Sequence, residues 1–203
     1  MAYRRTAAVQ ARLDASRREI LKAAITLLTE HGYAGCSVAA VAARAGVATG
    51  TVYRHFPDKA TLLTEVFRTA ATREISAVAA AARRPASIPD KITAVIDTFA
   101  GRAFKSPRLA YALLAEPVDP AVDAERLVFR RAYRDLVAAT VADGVTHGVL
   151  PPQNPGVTAA ALVGAIAETL VAPLAAGSPE PDTIPALITF TLRAIGATDA
   201  ADA

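Results

Sequence analysis

The sequence predicts an all-α protein of about nine helices, with a small N-terminal three-helix head and a larger C-terminal helical domain. Three observations carry this expectation. Apolar residues recur at helical rather than alternating spacing, the breaks between periodic segments are rich in proline and glycine, and no pair of segments stands out as a β-hairpin. A chain of 203 residues, 53% hydrophobic and 20% charged, is expected to bury a core without cross-links.

The first start signal is Ser16-Arg-Arg-Glu19, a capping-box pattern. It predicts a helix over 17–31, with Ile20, Ala23, Ala24, Leu27, Leu28 and His31 at helical spacing and Gly32 as its stop. Residues 1–15, which include Arg4 and Arg5, read as a basic arm. Ser37 caps a second, short helix with Val38, Val41, Ala42 and Ala45 on its apolar face, and Gly46 supplies the sharp turn out of it. A third helix over 49–55 packs Val47 and Val52 inward. Asp58 then caps a long fourth helix reaching about 82, apolar at Leu62, Leu63, Val66, Phe67 and Ala70.

Beyond a linker near 84–90, helices are expected at about 88–104, 107–114, 120–147, 155–174 and 182–195. The division is therefore a head of residues 1–58 and a larger helical domain of residues 59–203.

Composition excludes several classes. Cys36 is the single cysteine, and His31, His55 and His147 lie far apart in sequence, so neither a disulfide framework nor a metal site is expected, and no cofactor. The N-terminus lacks the roughly 7–15-residue apolar run of a secretory signal. The most hydrophobic window, 156–176, is long enough to span a membrane but is largely alanine and contains Thr158, Glu168, Thr169 and Pro173. The expectation is a cytoplasmic protein with no membrane partner. An enzyme is a poor fit, since no nucleophile elbow, phosphate loop or paired catalytic carboxylates are present.

Charge is unevenly divided. Residues 1–60 hold nine Lys/Arg against four acids, a net +5, while the remainder is net −2. This localises a polyanion-binding surface to the head, or else marks a solvated basic helix face. A helix-turn-helix needs a small residue where its helices cross, a glycine in the turn and an aliphatic anchor under the second helix. Ala42, Gly46 and Val52 meet these needs. The second helix then offers Thr49, Gly50, Thr51, Tyr53, Arg54 and His55, with no acid. An ordinary helical hairpin shares the spacing.

The stretch Ser37-Val-Ala-Ala-Val-Ala-Ala-Arg-Ala-Gly-Val-Ala-Thr-Gly-Thr-Val-Tyr-Arg-His-Phe-Pro-Asp-Lys59, with the helix before it and Leu62-Leu63 after, resembles the TetR/AcrR family of bacterial repressors. The resemblance covers about residues 16–68. It implies nine or ten helices, a homodimer on double-stranded operator DNA, and repression relieved by a small-molecule effector. It also implies roles. Ser37 would cap its helix and meet a phosphate, Arg44 would face the DNA backbone, and Thr49 and Thr51 would reach base edges or flanking phosphates. Gly50 would allow close approach, and Tyr53, His55 and Lys59 would clamp phosphates. Arg54 would read a guanine through its forked guanidinium, and Phe56 would be core. Two positions depart from the family pattern: Ala48 stands where serine or threonine usually caps the recognition helix, and the usual acid is missing at Ala39 or Ala40.

In the C-terminal domain, the helices at 155–174 and 182–195 are apolar around more of their circumference than a surface helix needs. The resemblance implies that they meet a symmetry mate in a four-helix bundle through Ala160, Val163, Gly164, Ala167, Leu187 and Phe190; an intramolecular core is the alternative. A ligand pocket is expected among the fourth to eighth helices. Phe99, Phe104, Tyr111, Phe129 and Tyr133 would line it, with polar handles from Arg102, Glu116, Arg130, Arg134, His147 or Glu168. Without an acidic or basic cluster at apolar positions, the expected effector is hydrophobic or aromatic, although each aromatic also fits plain core. A second reading keeps the DNA-binding head and gives the C-terminal domain a protein partner or an activating role.

Overall fold

A computed structural model describes residues 7–178, 180 and 182–197. Among them are nine α-helices and no strand: α1 (Ala7–His31), α2 (Val38–Ala45), α3 (Thr49–His55), α4 (Lys59–Ala82), α5 (Ile88–Lys105), α6 (Pro107–Leu114), α7 (Pro120–Thr146), α8 (Pro155–Ala176) and α9 (Thr183–Ala194). A single 3-10 turn, Tyr33–Gly35, joins α1 to α2.

The first helix begins ten residues before the expected start at 17. Nothing between Ala7 and Ser16 breaks a helix: the stretch is alanine, valine, glutamine, arginine, leucine and aspartate, and Gln10 donates to Asp14 at 2.9 Å one turn on. Ser16 therefore lies inside α1 and caps nothing. Of the expected basic arm, residues 7–15 are helical, while Arg4 and Arg5 lie outside the described residues.

The other start and stop signals act as expected. Ser37 Oγ accepts the Ala40 N–H at 3.1 Å, and Asp58 Oδ1 accepts the Thr61 N–H at 2.6 Å. Gly46 closes α2 at φ 66°, a left-handed conformation that glycine adopts without a Cβ clash.

Two cores organise the bundle. The first joins α1, α2 and α3 to the start of α4 through Ile20, Leu28, Val41, Val52, Phe56 and Leu62, and reaches Ala112 of α6 and Val122 of α7. The second lies among α5, α7, α8 and α9, around Ile92, Ile96, Val141, Leu162, Leu170 and Ile195. α4 extends beyond the head, burying Val78 and Ala81 near its far end.

α8 is long and apolar enough to cross a membrane by length and composition. Its Ala159, Leu162, Ile166, Leu170 and Leu174 are buried, whereas Val157, Ala160, Ala161, Gly164 and Glu168 form an exposed face at three- and four-residue spacing.

Candidate nucleic-acid interface and regulatory cavity

The geometry of the head follows from three small decisions in the sequence. Ala42, 2% exposed, is compact enough to let α2 and α3 cross closely. Gly46 turns the chain so that the Val47 N–H still reaches the Ala42 carbonyl at 3.0 Å. Val52 is 1% exposed and fixes α3 by its inner face. Consequently Thr49, Gly50, Tyr53 and Arg54 are exposed and Thr51 is half-buried, with Ser37 and Lys59 exposed at the starts of α2 and α4. α3 contains no acid, so this outer face meets a polyanion without charge repulsion. Gly50 has open space around the position of a Cβ, so nothing within the protein requires glycine there.

Several expected contacts are rearranged. Both terminal nitrogens of Arg44 bond Glu30, at 2.7 and 2.6 Å, across α1 and α2, so its fork already has a carboxylate. His55 is half-buried against Phe56, and its Nε2 has no hydrogen-bond partner among the described residues. Burial, and then the adjacent Arg54 and Arg17, hold its pKa below the ordinary histidine range, with Asp14 opposing. Tyr53 stands 49% exposed on the outer face of α3 rather than packed into the core. Phe56 is core at 1% exposure; the Arg17 guanidinium lies 5.1 Å from its ring centroid and bonds Glu65 at 3.2 Å. Ala48 leaves α3 without a side-chain cap.

A cavity of about 310 Å³ lies among α4, α5, α6, α7 and α8. Of the expected lining residues, Phe99, Arg102, Phe129, Arg130 and Tyr133 are there. Phe99 meets Tyr133 edge-on at 5.3 Å, and Phe129 meets Phe67 at 5.8 Å. Arg102 is held by Glu74 through two bonds of 2.6 and 2.8 Å.

Phe104 and Tyr111 do not line the cavity: both are partly buried against the second core. Five residues along α5 from Phe99 rotate a side chain about 140° around the helix, which turns Phe104 away. Glu168 is exposed on the outer face of α8. Sequence reasoning missed Phe67, which reads as ordinary core on α4. It also missed that Val163 and Ala167, expected at the dimer interface, are half-buried and line this cavity. Leu187, also expected at that interface, is 4% exposed in the second core, because α9 turns it inward against α5. Ala160, Gly164 and Phe190 are exposed, the last at 51%.

Cavity and head share α6. Leu109, Leu113 and Leu114 form part of the cavity wall, and α6 packs on α1. Arg126 of α7, its side chain 11% exposed, donates to the carbonyls of Leu113 and Glu116 at 3.1 and 2.8 Å and bonds Asp123 at 2.7 Å. It therefore fixes the end of α6. From there the Glu116 carboxylate accepts the Tyr33 N–H, at the junction between α1 and the helix-turn-helix. The turn at Gly32, with φ 66°, requires glycine, and a Cβ there would come within 2.9 Å of that carboxylate and displace it.

Comparison with known proteins finds likenesses to these features. Residues 20–66 match the model described as bacterial regulatory proteins, tetR family. An uncharacterized HTH-type transcriptional regulator of Mycobacterium tuberculosis is 32% identical over 149 residues, covering 71% of this chain. The matched part spans only 64% of that relative's length. The HTH-type transcriptional repressor KstR of Rhodococcus jostii is 49% identical over 47 residues, 23% of this chain and 22% of that protein. Among solved structures, a TetR transcription regulator from Haloarcula marismortui superposes with TM-score 0.77 at 18% identity, covering 91% of this chain and 98% of the other. The transcriptional regulator FadR from Bacillus subtilis, in complex with stearoyl-CoA, superposes with TM-score 0.74 at 18% identity, covering 90% and 99%. At these identities the structures establish the fold.

Proposed function

We propose that this chain, whose residues 20–66 match the tetR family of bacterial regulatory proteins, is a cytoplasmic, homodimeric repressor released from a palindromic operator by a small, mainly hydrophobic effector. The observation that carries the DNA-binding role is the acid-free outer face of α3, presented by a helix whose Val52 is locked into the core. Residues 1–58 serve as the reading head and 59–203 as the regulatory domain. The head draws on the start of α4 for its core, so a movement of α4 reaches it directly.

On DNA, Thr49, Thr51 and Arg54 face base edges in the major groove, with Arg54 bidentate to a guanine. Gly50 admits the backbone, and Ser37, Tyr53 and Lys59 take phosphates. Arg44 reaches a phosphate only by leaving Glu30, and His55 acts as a neutral hydrogen-bonding group. Two copies pair through the exposed faces of α8 and α9 around Ala160, Gly164 and Phe190. Such pairing sets the recognition helices about one DNA turn, ~34 Å, apart.

The effector occupies the cavity among α4 to α8. It favours a conformer in which α4 and α6 have shifted, and α6 passes the shift to the head through Glu116. A hundredfold loss of operator affinity requires ~2.7 kcal/mol of differential binding between the two conformers. Selection of bound duplexes from a random pool tests the first half of the reading. A two-fold symmetric site bound with steep salt dependence is expected; no salt-sensitive preference for any palindrome overturns it.

A further inference from the structure

We propose that the cavity among α4 to α8 takes an amphipathic anion, its apolar tail of about ten heavy atoms enclosed and its acidic head at the rim on Arg130 and Lys105. This rests on the cavity being the effector site and adds the chemical class of the effector.

The interior selects the tail. Phe67, Val78, Ile96 and Val137 line the cavity and are each 7% exposed or less, so the deep wall is hydrocarbon and aromatic. The volume of about 310 Å³, at the ~30 Å³ that a water-sized group occupies in a liquid, accommodates about ten such groups. It lies at the small end of ligand sites, which argues for a medium-length chain.

The opening selects the head. Four cations line the cavity against one acid, Glu74. Arg102 already neutralises Glu74 through two hydrogen bonds, and Arg126 is engaged by the end of α6 and by Asp123. Arg130 and Lys105 remain, both exposed, and neither forms an ion pair among the described residues. A neutral ligand leaves these two cations to water. An anionic one gains a charge-assisted hydrogen bond from each, in a setting less polar than bulk solvent. An ammonium head finds no free carboxylate here. The same chemistry is offered by the carboxylate of a free acid and by the phosphates of its coenzyme A thioester.

Calorimetric titration of the full-length protein with decanoate, decanoyl-coenzyme A and decanol separates these cases. At least one anion is expected to bind tenfold or more tightly than decanol. Its advantage should shrink as salt is raised, and should fall tenfold in the double variant Arg130→Gln, Lys105→Gln, while decanol affinity holds. Which anion binds more tightly identifies the head group. Within the winning series, each two-carbon extension strengthens binding about tenfold until the cavity is full.

Decanol binding as tightly as both anions, or an anion advantage insensitive to salt, overturns the assignment. The salt reading needs no variant, so a misfolded double mutant does not block it. Operator release, followed by fluorescence anisotropy, separates this idea from the one beneath it. An anion that binds in the expected way but releases no operator supports the ligand class and sinks the effector role. Release by decanol alone does the reverse.

Discussion

The carboxylate of Glu116 accepts the backbone N–H of Tyr33 at 3.1 and 3.2 Å, joining the end of α6 to the start of the helix-turn-helix across 83 residues of sequence. Tyr33 is 7% exposed, so its amide has little access to water if the carboxylate is removed. Glu116→Ala should cost about 1–3 kcal/mol of stability, read by denaturant unfolding. It should also blunt the loss of operator affinity on effector binding, read by anisotropy, whereas Glu116→Gln, which keeps an acceptor, should retain much of both. A destabilised variant with a full effector response would make the contact structural only.

The helix α3 lacks the cap that the residue before it is placed to provide. Ala48 has φ −68° and ψ 146°, the extended geometry of an N-cap, yet its side chain accepts nothing. Ala48→Ser should supply the missing acceptor and stabilise the protein by about 1 kcal/mol. For a chain of this size that raises the thermal midpoint by roughly 2–4 °C, measurable by calorimetry. An unchanged midpoint would show that α3 is limited by packing alone.

His55 should make the head sensitive to acid. Its folded pKa lies below the ordinary value of 6.5, through burial and then the Arg54 and Arg17 charges, with Asp14 opposing. The unfolded state therefore binds the proton first, so stability is complete above about pH 6.5 and falls as the pH drops toward the folded value. His55→Gln should remove this part of the slope in urea midpoints measured between pH 5 and 7. A wild-type midpoint flat across that range would contradict the shift.

Gly164 offers a clean test of the proposed dimer. It is exposed on α8, and a Cβ there meets nothing within 4 Å. Gly164→Glu should leave the protomer folded, since replacing a mid-helix glycine by a better helix former is favourable by several tenths of a kcal/mol. It should nonetheless place two like charges near the symmetry axis and break the dimer. Sedimentation should show a monomer, and operator affinity should collapse; a dimer of wild-type affinity would move the interface elsewhere.

Arg54 and Lys59 should fail differently. Arg54→Ala should lose about 1–3 kcal/mol of discrimination at one base pair. Lys59→Ala should weaken all duplexes alike and reduce the slope of log affinity against log salt by about one. Selection from random duplexes and salt titrations distinguish the two outcomes. If each variant weakens binding in the same way, the division into base reader and phosphate clamp is wrong.

Local signals in the sequence anticipated most of the helices because each signal is local in cause. Ser37, Gly46 and Asp58 act on backbone groups within a few residues of themselves, and Val52 is inward-facing by helical period alone. The misplaced start of α1 has a local cause too. The Ser16–Glu19 pattern marks where a helix is able to begin, but Ala7 to Ala15 contains nothing to stop one already under way.

The assignment of apolar faces was not legible in the same way. Val163, Ala167 and Leu187 belong to helices apolar around much of their circumference, so periodicity does not distinguish cavity wall, private core and partner surface. Phe104 and Phe99 are the same residue type on one helix, yet only Phe99 reaches the cavity.

The sequence by itself determined the helices, the helix-turn-helix and the charge of its outer face, because these follow from interactions among residues close together in the chain. Tertiary structure alone decided that Glu30 holds Arg44, that Arg126 and Glu116 tie the cavity wall to the head, and which cations at the cavity mouth are left without an acid. Those pairings depend on how helices distant in sequence pack, and no local spacing encodes which side chain a packed neighbour will present.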